Sequence, residues 1–257
     1  MLFCRLLIER PLRGWLGGLL LSLAGASLML PSPQAYGENT PELGLDYVDA
    51  VFSVDYNGKD TAGENTLRIR RDGDNYTVDF NLDHWLLQSR QHAEFAMQDC
   101  QVRPLFYSDT NKRPFKKEEE QQVRFDWSQH EATFVSPEDT KQFTLDENDR
   151  LFDPLSFFFE ARCAVIDGAQ SFQYPVIRKG NSKSQEYRIV DKDTVATPLG
   201  DFEALVVERV RENPKRQTRL YVAPELDYLL VKIEHQESPM LKIVATLKEM
   251  DYALKSK

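Results

Sequence analysis

The sequence predicts an all-β or β-rich fold: a single large antiparallel curved sheet or an open β-barrel, with one covering helix near residues 153–163. Two observations support this prediction. Apolar and polar residues alternate along most of the chain, which is typical of antiparallel strands with one buried face. One segment breaks the alternation and begins with residues that favour a helix start. The 257 residues are enough for one large core or two small ones.

Composition excludes several classes of protein. A hydrophobic content of 41% and a charged content of 28% are typical of a globular protein, which excludes a disordered, collagen-like or polytopic membrane protein. The net charge of −9 and the isoelectric point near 5.1 disfavour a nucleic-acid partner, because such domains concentrate Lys and Arg on their surface.

The N-terminal segment has the features of an export signal. A basic segment from Met1 to Arg13 precedes an apolar run from Trp15 to Leu30, and Ala35–Gly37 supplies the small residues of a cleavage site. The apolar run is shorter than the roughly 20 residues that cross a bilayer as a helix.

We therefore expect a signal peptide over residues 1–37 and a single β-rich domain over residues 38–257. This predicts a periplasmic protein with no stable membrane span after processing. The alternative is an uncleaved N-terminal anchor that holds the protein on the inner membrane, facing the periplasm. The oligomeric state is left open.

Two cysteines, Cys100 and Cys163, remain after the predicted cleavage. An even pair in an oxidising compartment predicts a disulfide. The alternative is that both are small buried apolar side chains. A catalytic thiol is disfavoured, since the four histidines are scattered and no base accompanies either cysteine.

The strands are predicted from alternation alone. Leu67–Arg70 and Tyr76–Leu82 alternate on either side of the polar turn Asp72–Asn75, which indicates a β-hairpin. At least nine strands are predicted in all, and the further alternating segments are 123–127, 132–135, 143–145, 187–189, 219–222, 231–233 and 241–247. No linker-like or repeated segment divides them, so one domain is expected.

The helix is predicted from Asp153. Asp153 is a favoured N-cap and Pro154 is favoured at the first helical position. One face of this helix would carry Leu155, Phe158, Phe159 and Arg162. A bond between Cys100 and Cys163 would attach its end to the sheet.

Six local patterns occur in an order that resembles the domain of unknown function 3108 (DUF3108) family of exported Gram-negative proteins. They are Val51–Gly58 with Ala62–Glu64, Arg103–Tyr107, Phe125–Trp127, Phe152–Ser156, Val195–Ala204 and Tyr221–Ile233. The resemblance extends from about residue 46 to 250. It implies an exported, β-rich, single-domain protein and transfers no catalytic residues.

No reaction is indicated by the sequence motifs. The chain lacks the patterns of serine hydrolases, zinc proteases, dithiol oxidoreductases and P-loop nucleotide-binding proteins. We therefore expect a protein that is not an enzyme and has no cofactor, no metal site and no catalytic residues. An envelope hydrolase is a distant third hypothesis.

Binding is the function that remains. The chain has many aromatic residues that could line an apolar pocket inside the sheet, and the candidates are Trp85, Trp127, Phe157, Phe158 and Phe159. The simpler interpretation is that these residues fill an ordinary core. The first hypothesis is a non-catalytic binding protein for a hydrophobic or lipid-like envelope ligand. The alternative is an interaction or scaffold module that contacts an envelope protein through a sheet edge or the loop from Lys112 to Glu120.

Overall fold

Antiparallel pairing joins 14 strands into one sheet in the structure, a computed structural model that describes residues 45–84, 87–146 and 150–254. The predicted signal peptide lies outside the described residues, as does Trp85. The elements are β1 Leu45–Tyr56, β2 Lys59–Asp72, β3 Asn75–His84, β4 Leu87–Gln98, β5 Gln101–Lys112, β6 Glu119–Asp126, β7 Glu131–Val135, β8 Thr140–Thr144, α1 Phe157–Ile166, β9 Ser171–Arg178, β10 Asn181–Thr197, β11 Gly200–Arg209, β12 Gln217–Ala223, β13 Leu229–Ser238 and β14 Leu241–Leu254. A single 3₁₀ turn spans Pro224–Leu226.

The sheet consists of two meanders joined at its centre. Strands β1 to β8 each pair with the next strand along the chain, and so do β9 to β14. The two series meet where β1 pairs with β14, in a register that places Ala50 opposite Met250. The edge strands are β8 and β9, so the sheet is open. The prediction of one large antiparallel open sheet with a single covering helix is confirmed.

Alternation of apolar and polar residues along the strands builds the core on the concave face of the sheet. On the first meander, paired residues of successive strands lie side by side and are buried, namely Val48, Ile69, Val78, Ala93, Tyr107, Val123 and Phe134. Each large apolar side chain buried in this way contributes about 1.5–3 kcal/mol. The intervening residues face outward, where Arg70 Nη2 donates to Asp49 Oδ2 at 2.6 Å.

The predicted hairpin and helix are both present. Asp72 pairs with Asn75 across the β2–β3 turn, in which Gly73 has a positive φ of 61°. The helix begins later than the sequence suggested, at Phe157, because Asp153 organises a preceding turn. Its carboxylate accepts the backbone N–H groups of Leu155 and Ser156 at 2.8 and 2.9 Å.

Contacts from β7, from β8 and from the segment that follows β8 reach β9 and the β9–β10 turn. Phe152 N donates to Pro175 O at 3.0 Å, and Ile177 N donates to Phe152 O at 2.8 Å. Lys141 Nζ in β8 donates to Gly180 O in the β9–β10 turn at 3.0 Å. A Cβ on Gly180 would lie 3.0 Å from the Phe134 ring, so glycine lets this turn pack against β7.

Helix α1 is anchored to both meanders. Its Glu160 Oε2 accepts the Val102 N–H of β5 at 2.9 Å. The Cys163 sulfur is bonded to that of Cys100, with a Cα–Cα distance of 5.8 Å. On the other side, the Phe157 ring lies 5.5 Å from the ring of Tyr187 in β10. Neither described helix is long and apolar enough to cross a membrane.

We expect the Cys100→Ala/Cys163→Ala variant to lower the free energy of unfolding. The bond closes a loop of 63 residues, and in the chain-entropy model such a loop corresponds to about 4 kcal/mol. Urea denaturation of both proteins measures the difference. A reductant should destabilise the wild type and leave the variant unchanged; equal stability of the two oxidised proteins would contradict the expectation.

Candidate functional site

A cavity of about 330 Å³ lies between α1 and the concave face of the sheet. This volume falls at the low end of the range of about 300–1,000 Å³ found for small-molecule sites. Residues from both meanders and from the helix form its walls. The curvature of the sheet therefore brings distant parts of the sequence to one site.

Aliphatic side chains form the sheet side of the cavity. The alternation that builds the core points them inward, and they include Leu67, Ile69 and Val78 from the first meander and Val207, Leu220 and Val222 from the second. Leu67 pairs with Phe80 in the neighbouring strand, and both line the cavity.

Three consecutive phenylalanines form much of the helix side. Phe157, Phe158 and Phe159, three of the candidates named from the sequence, all line the cavity. Phe159 also packs on the core ring of Phe95 at 4.7 Å. Phe158 is 36% exposed, so it marks a place where the cavity wall reaches solvent.

Trp127 does not line the cavity, contrary to the sequence expectation. Strand β6 ends at Asp126, so Trp127 belongs to the following turn and strand alternation no longer sets its direction. Its Nε1 donates to Pro104 O at 2.8 Å, and the Arg103 guanidinium lies 5.6 Å from its ring centroid.

Some polar groups of the wall are bonded to one another. The Tyr107 hydroxyl donates to Gln91 Oε1 at 3.3 Å, and burial raises the pKa of this phenol well above 10, so it stays neutral. Asp109 is buried and accepts the side-chain amides of Gln121 and Asn111, each at 2.7 Å.

Arg162 of α1 is a buried cation in the wall whose charge is paired. Its Nε donates to Asp227 O at 2.9 Å, and its Nη2 forms an ion pair with the Asp227 carboxylate. Its buried Nη1 has no hydrogen-bond partner among the described residues. Arg162 therefore joins the helix to the turn before β13 and leaves one donor unused.

Two further arginines, Arg178 and Arg209, line the cavity without an acidic partner. Within the described ranges, no carboxylate oxygen lies within 4.0 Å of either guanidinium. Arg209 lies 6.0 Å from the ring centroid of Tyr187. Burial lowers the pKa of Arg209, and the charges of Arg178 and Arg216 lower it further, whereas Tyr187 opposes this.

Sequence reasoning missed these arginines, although the alternation contains a signal for them. Val207 and Arg209 are two residues apart on β11, and so are Val176 and Arg178 on β9. A charged residue that continues an inward-facing row was a sign of a polar group at the margin of the interior.

The described residues contain no group of three His, Cys, Asp or Glu side chains that could hold a metal ion. The arrangement is that of a cavity with apolar walls and several hydrogen-bond donors. Chemically, it can enclose an apolar group and bind a polar one beside it.

The solved structures that this fold resembles include a crystal structure described as a beta-barrel-like protein of domain of unknown function DUF1849 from Brucella abortus. The match has a TM-score of 0.51 and 9% sequence identity, and it covers 81% of this chain and 98% of that chain. At this identity the likeness concerns the fold alone.

The sequence itself identifies the family. The profile of the family described as "Protein of unknown function (DUF3108)" matches residues 51–247. The chain belongs to this family, which confirms the resemblance found in the sequence. No curated protein matches the chain significantly.

His235 lies beside two other arginines, Arg211 and Arg216, and provides a measurable probe of their surroundings. Its Nδ1 is 2.9 Å from Thr218 Oγ1 and its Nε2 is 3.1 Å from Glu237 Oε2. Burial lowers the pKa of His235 below 6.5; Glu237 opposes this, and the charges of Arg211 and Arg216 add to it.

We expect His235 to destabilise the fold in acid. Because its pKa is lower in the folded state, the unfolded chain binds the proton first and the free energy of unfolding falls as pH drops below about 6.5. Replacement His235→Gln should remove this loss, as measured by urea denaturation between about pH 8 and pH 5.

The matched control is His92→Gln. Burial lowers the pKa of His92, but hydrogen bonds to Asp79 and Glu94 outweigh burial and raise it above 6.5. His92 therefore stabilises the fold at low pH, and this contribution is lost as pH rises through the folded-state pKa. The two substitutions should change the pH dependence in opposite directions; changes of the same sign would contradict both assignments.

Proposed function

We propose that this protein is a non-catalytic binding protein of the cell envelope that holds a hydrophobic or lipid-like ligand. The observation that carries the proposal is the cavity of about 330 Å³, whose walls are mainly aliphatic and aromatic. At about 30 Å³ per water-sized group, this volume corresponds to roughly ten such groups. Each buried methylene contributes about 0.8 kcal/mol, so a medium-length alkyl chain is a suitable occupant.

An envelope location is part of the proposal. The sequence features of residues 1–37 support export to the periplasm, with inner-membrane anchoring as the alternative. The bond between Cys100 and Cys163 is compatible with an oxidising compartment.

The two carboxylates in the cavity wall already have partners, which favours binding over catalysis. Asp109 is bonded to two side-chain amides, and Asp227 is paired with Arg162. Neither carboxylate is arranged with a nucleophile or a histidine in the contacts described above, so a general acid and base pair is not favoured.

Native mass spectrometry of the protein purified from its own cell envelope tests the proposal. We expect a population that carries a non-covalent adduct of a few hundred daltons and a polypeptide mass that begins at Glu38. Extraction with organic solvent should remove the adduct and leave the polypeptide mass unchanged. Ligand binding would be contradicted if the protein carries no adduct under conditions in which a known lipid carrier keeps its lipid. An intact N-terminus would favour the anchored form.

A second prediction concerns the cavity itself. Val222→Phe places a larger side chain in the wall and should weaken binding of the neutral apolar dye N-phenyl-1-naphthylamine about tenfold or more, since overpacking costs about 1–3 kcal/mol. Fluorescence titration of the dye provides the measurement.

Val190→Phe is the matched control for that variant. Val190 is 41% exposed on β10 and does not line the cavity, so the same substitution there should leave dye binding unchanged. Equal effects of the two substitutions, or dye binding unaffected by both, would place the dye outside the cavity.

A second candidate function is docking on another envelope protein through the loop from Lys112 to Glu120, of which residues 113–118 lie between β5 and β6. The observation that favours it is Phe115, whose side chain is fully exposed in the middle of a run of charged residues. This candidate would be favoured if the protein carries no ligand adduct and co-purifies with another envelope protein. The co-purified protein should be lost from the Phe115→Ser variant.

A further inference from the structure

The charge on the cavity wall differs from that of the protein as a whole. The full chain has a net charge of −9, yet the wall contains three arginines and two aspartates. Asp227 neutralises Arg162, and Asp109 is bonded to uncharged amides. Arg178 and Arg209, which we call the arginine rim, keep their positive charge uncompensated.

The arginine rim lies where the cavity meets solvent. Arg178 is exposed and Arg209 is half-buried, and both touch the cavity. Tyr187 lies between Arg209 and the helix: Arg209 is 6.0 Å from its ring centroid, and the exposed Phe158 ring is 6.2 Å from it. A ligand that enters beside Phe158 therefore meets the Arg209 guanidinium, and Arg178 lines the same cavity.

Neighbouring residues add positive charge and supply little compensation. The Arg211 Nη2 donates only to the uncharged Thr218 hydroxyl, at 3.1 Å, and its buried Nε has no partner among the described residues. Arg216 is paired with Glu237 at 2.7 Å. Of these two neighbours, only Arg216 has an acidic partner.

A half-buried guanidinium without a counter-ion destabilises the fold, because it loses contact with water and gains no opposite charge. Its planar donors fit a carboxylate or phosphate group, which can accept two parallel hydrogen bonds. An anion at the rim would offset the repulsion between the arginines. A neutral or cationic group there would not.

We infer that the ligand is an amphiphile whose anionic head group binds Arg178 and Arg209 while its alkyl chain occupies the apolar cavity. The inference rests on the proposed function, since it assigns the polar end of the ligand held there. A free alkyl carboxylate and an anionic phospholipid share this chemistry, and the experiment distinguishes them.

The test is displacement of N-phenyl-1-naphthylamine by three probes with the same ten-carbon chain, decanoate, decanol and decyltrimethylammonium, below their micelle-forming concentrations. We expect decanoate to displace the dye at a concentration about tenfold or more below that of decanol. A hydrogen bond to a charged group contributes more binding free energy than one between neutral groups, and the difference corresponds to about this ratio. Decyltrimethylammonium should be the weakest competitor.

Arg178→Gln/Arg209→Gln should abolish the preference for decanoate over decanol, with each probe compared at that variant's own dye affinity, and retained dye fluorescence shows that the variant folds. The matched control is Arg188→Gln. Arg188 follows Tyr187 on the opposite face of β10, where it lies 3.9 Å from Glu208. This control should keep the preference.

The outcomes separate the inference from the proposed function. If neither the dye nor decanol binds the wild type, the proposed function fails. If both bind but decanoate has no advantage, or the double variant keeps that advantage, the anionic head group is excluded and the apolar cavity stands.

Dihexanoyl phosphatidylglycerol, added in parallel, distinguishes the two sources of the anion. Competition stronger than that of decanoate and lost in the double variant assigns a phospholipid head group. Competition by decanoate alone assigns a free carboxylate, and either result supports the inference.

Discussion

The attachment of α1 inside the open sheet is the constraint on which the rest of the structure depends. Glu160 and Cys163 hold the helix to β5 and to the turn before it, and Arg162 holds it to Asp227 on the far side. In an open sheet of 14 strands, these attachments of the helix add to the contacts of β7 and β8 with the β9–β10 turn and join the two meanders. Because the helix is held at its polar positions, its phenylalanines are free to form a cavity wall.

Much of the fold could be predicted from the sequence because the inner face follows a period of two. Leu67–Arg70 and Tyr76–Leu82 show the alternation directly, and Asp153-Pro154 marks the approach to the helix. The start of the helix was less predictable, since Asp153 caps a turn that precedes α1. The order of strands was not predictable, because pairing of β1 with β14 is a long-range contact without a local signal.

The site was only partly predictable, because some of its residues are brought together by contacts that are distant in sequence. Phe157, Phe158 and Phe159 belong to one local segment, so their grouping could be seen in the sequence. Arg178 and Arg209 come from different hairpins, where Arg178 pairs with Asn181 and Arg209 pairs with Tyr187, and both line the cavity only because the sheet curves. Trp127 has the parity of an inward residue, but strand β6 ends before it, and alternation says nothing about a turn.

The central β1–β14 pairing sets the order in which the sheet can be completed. Leu45 pairs with Leu254, so synthesis of nearly the whole described chain must precede closure of the middle of the sheet. Until then β1 has an unpaired backbone edge, which invites association with other strands, and such long-range pairing is slow. A chain of this architecture is therefore most exposed to association with other chains before its last described strand has paired with β1.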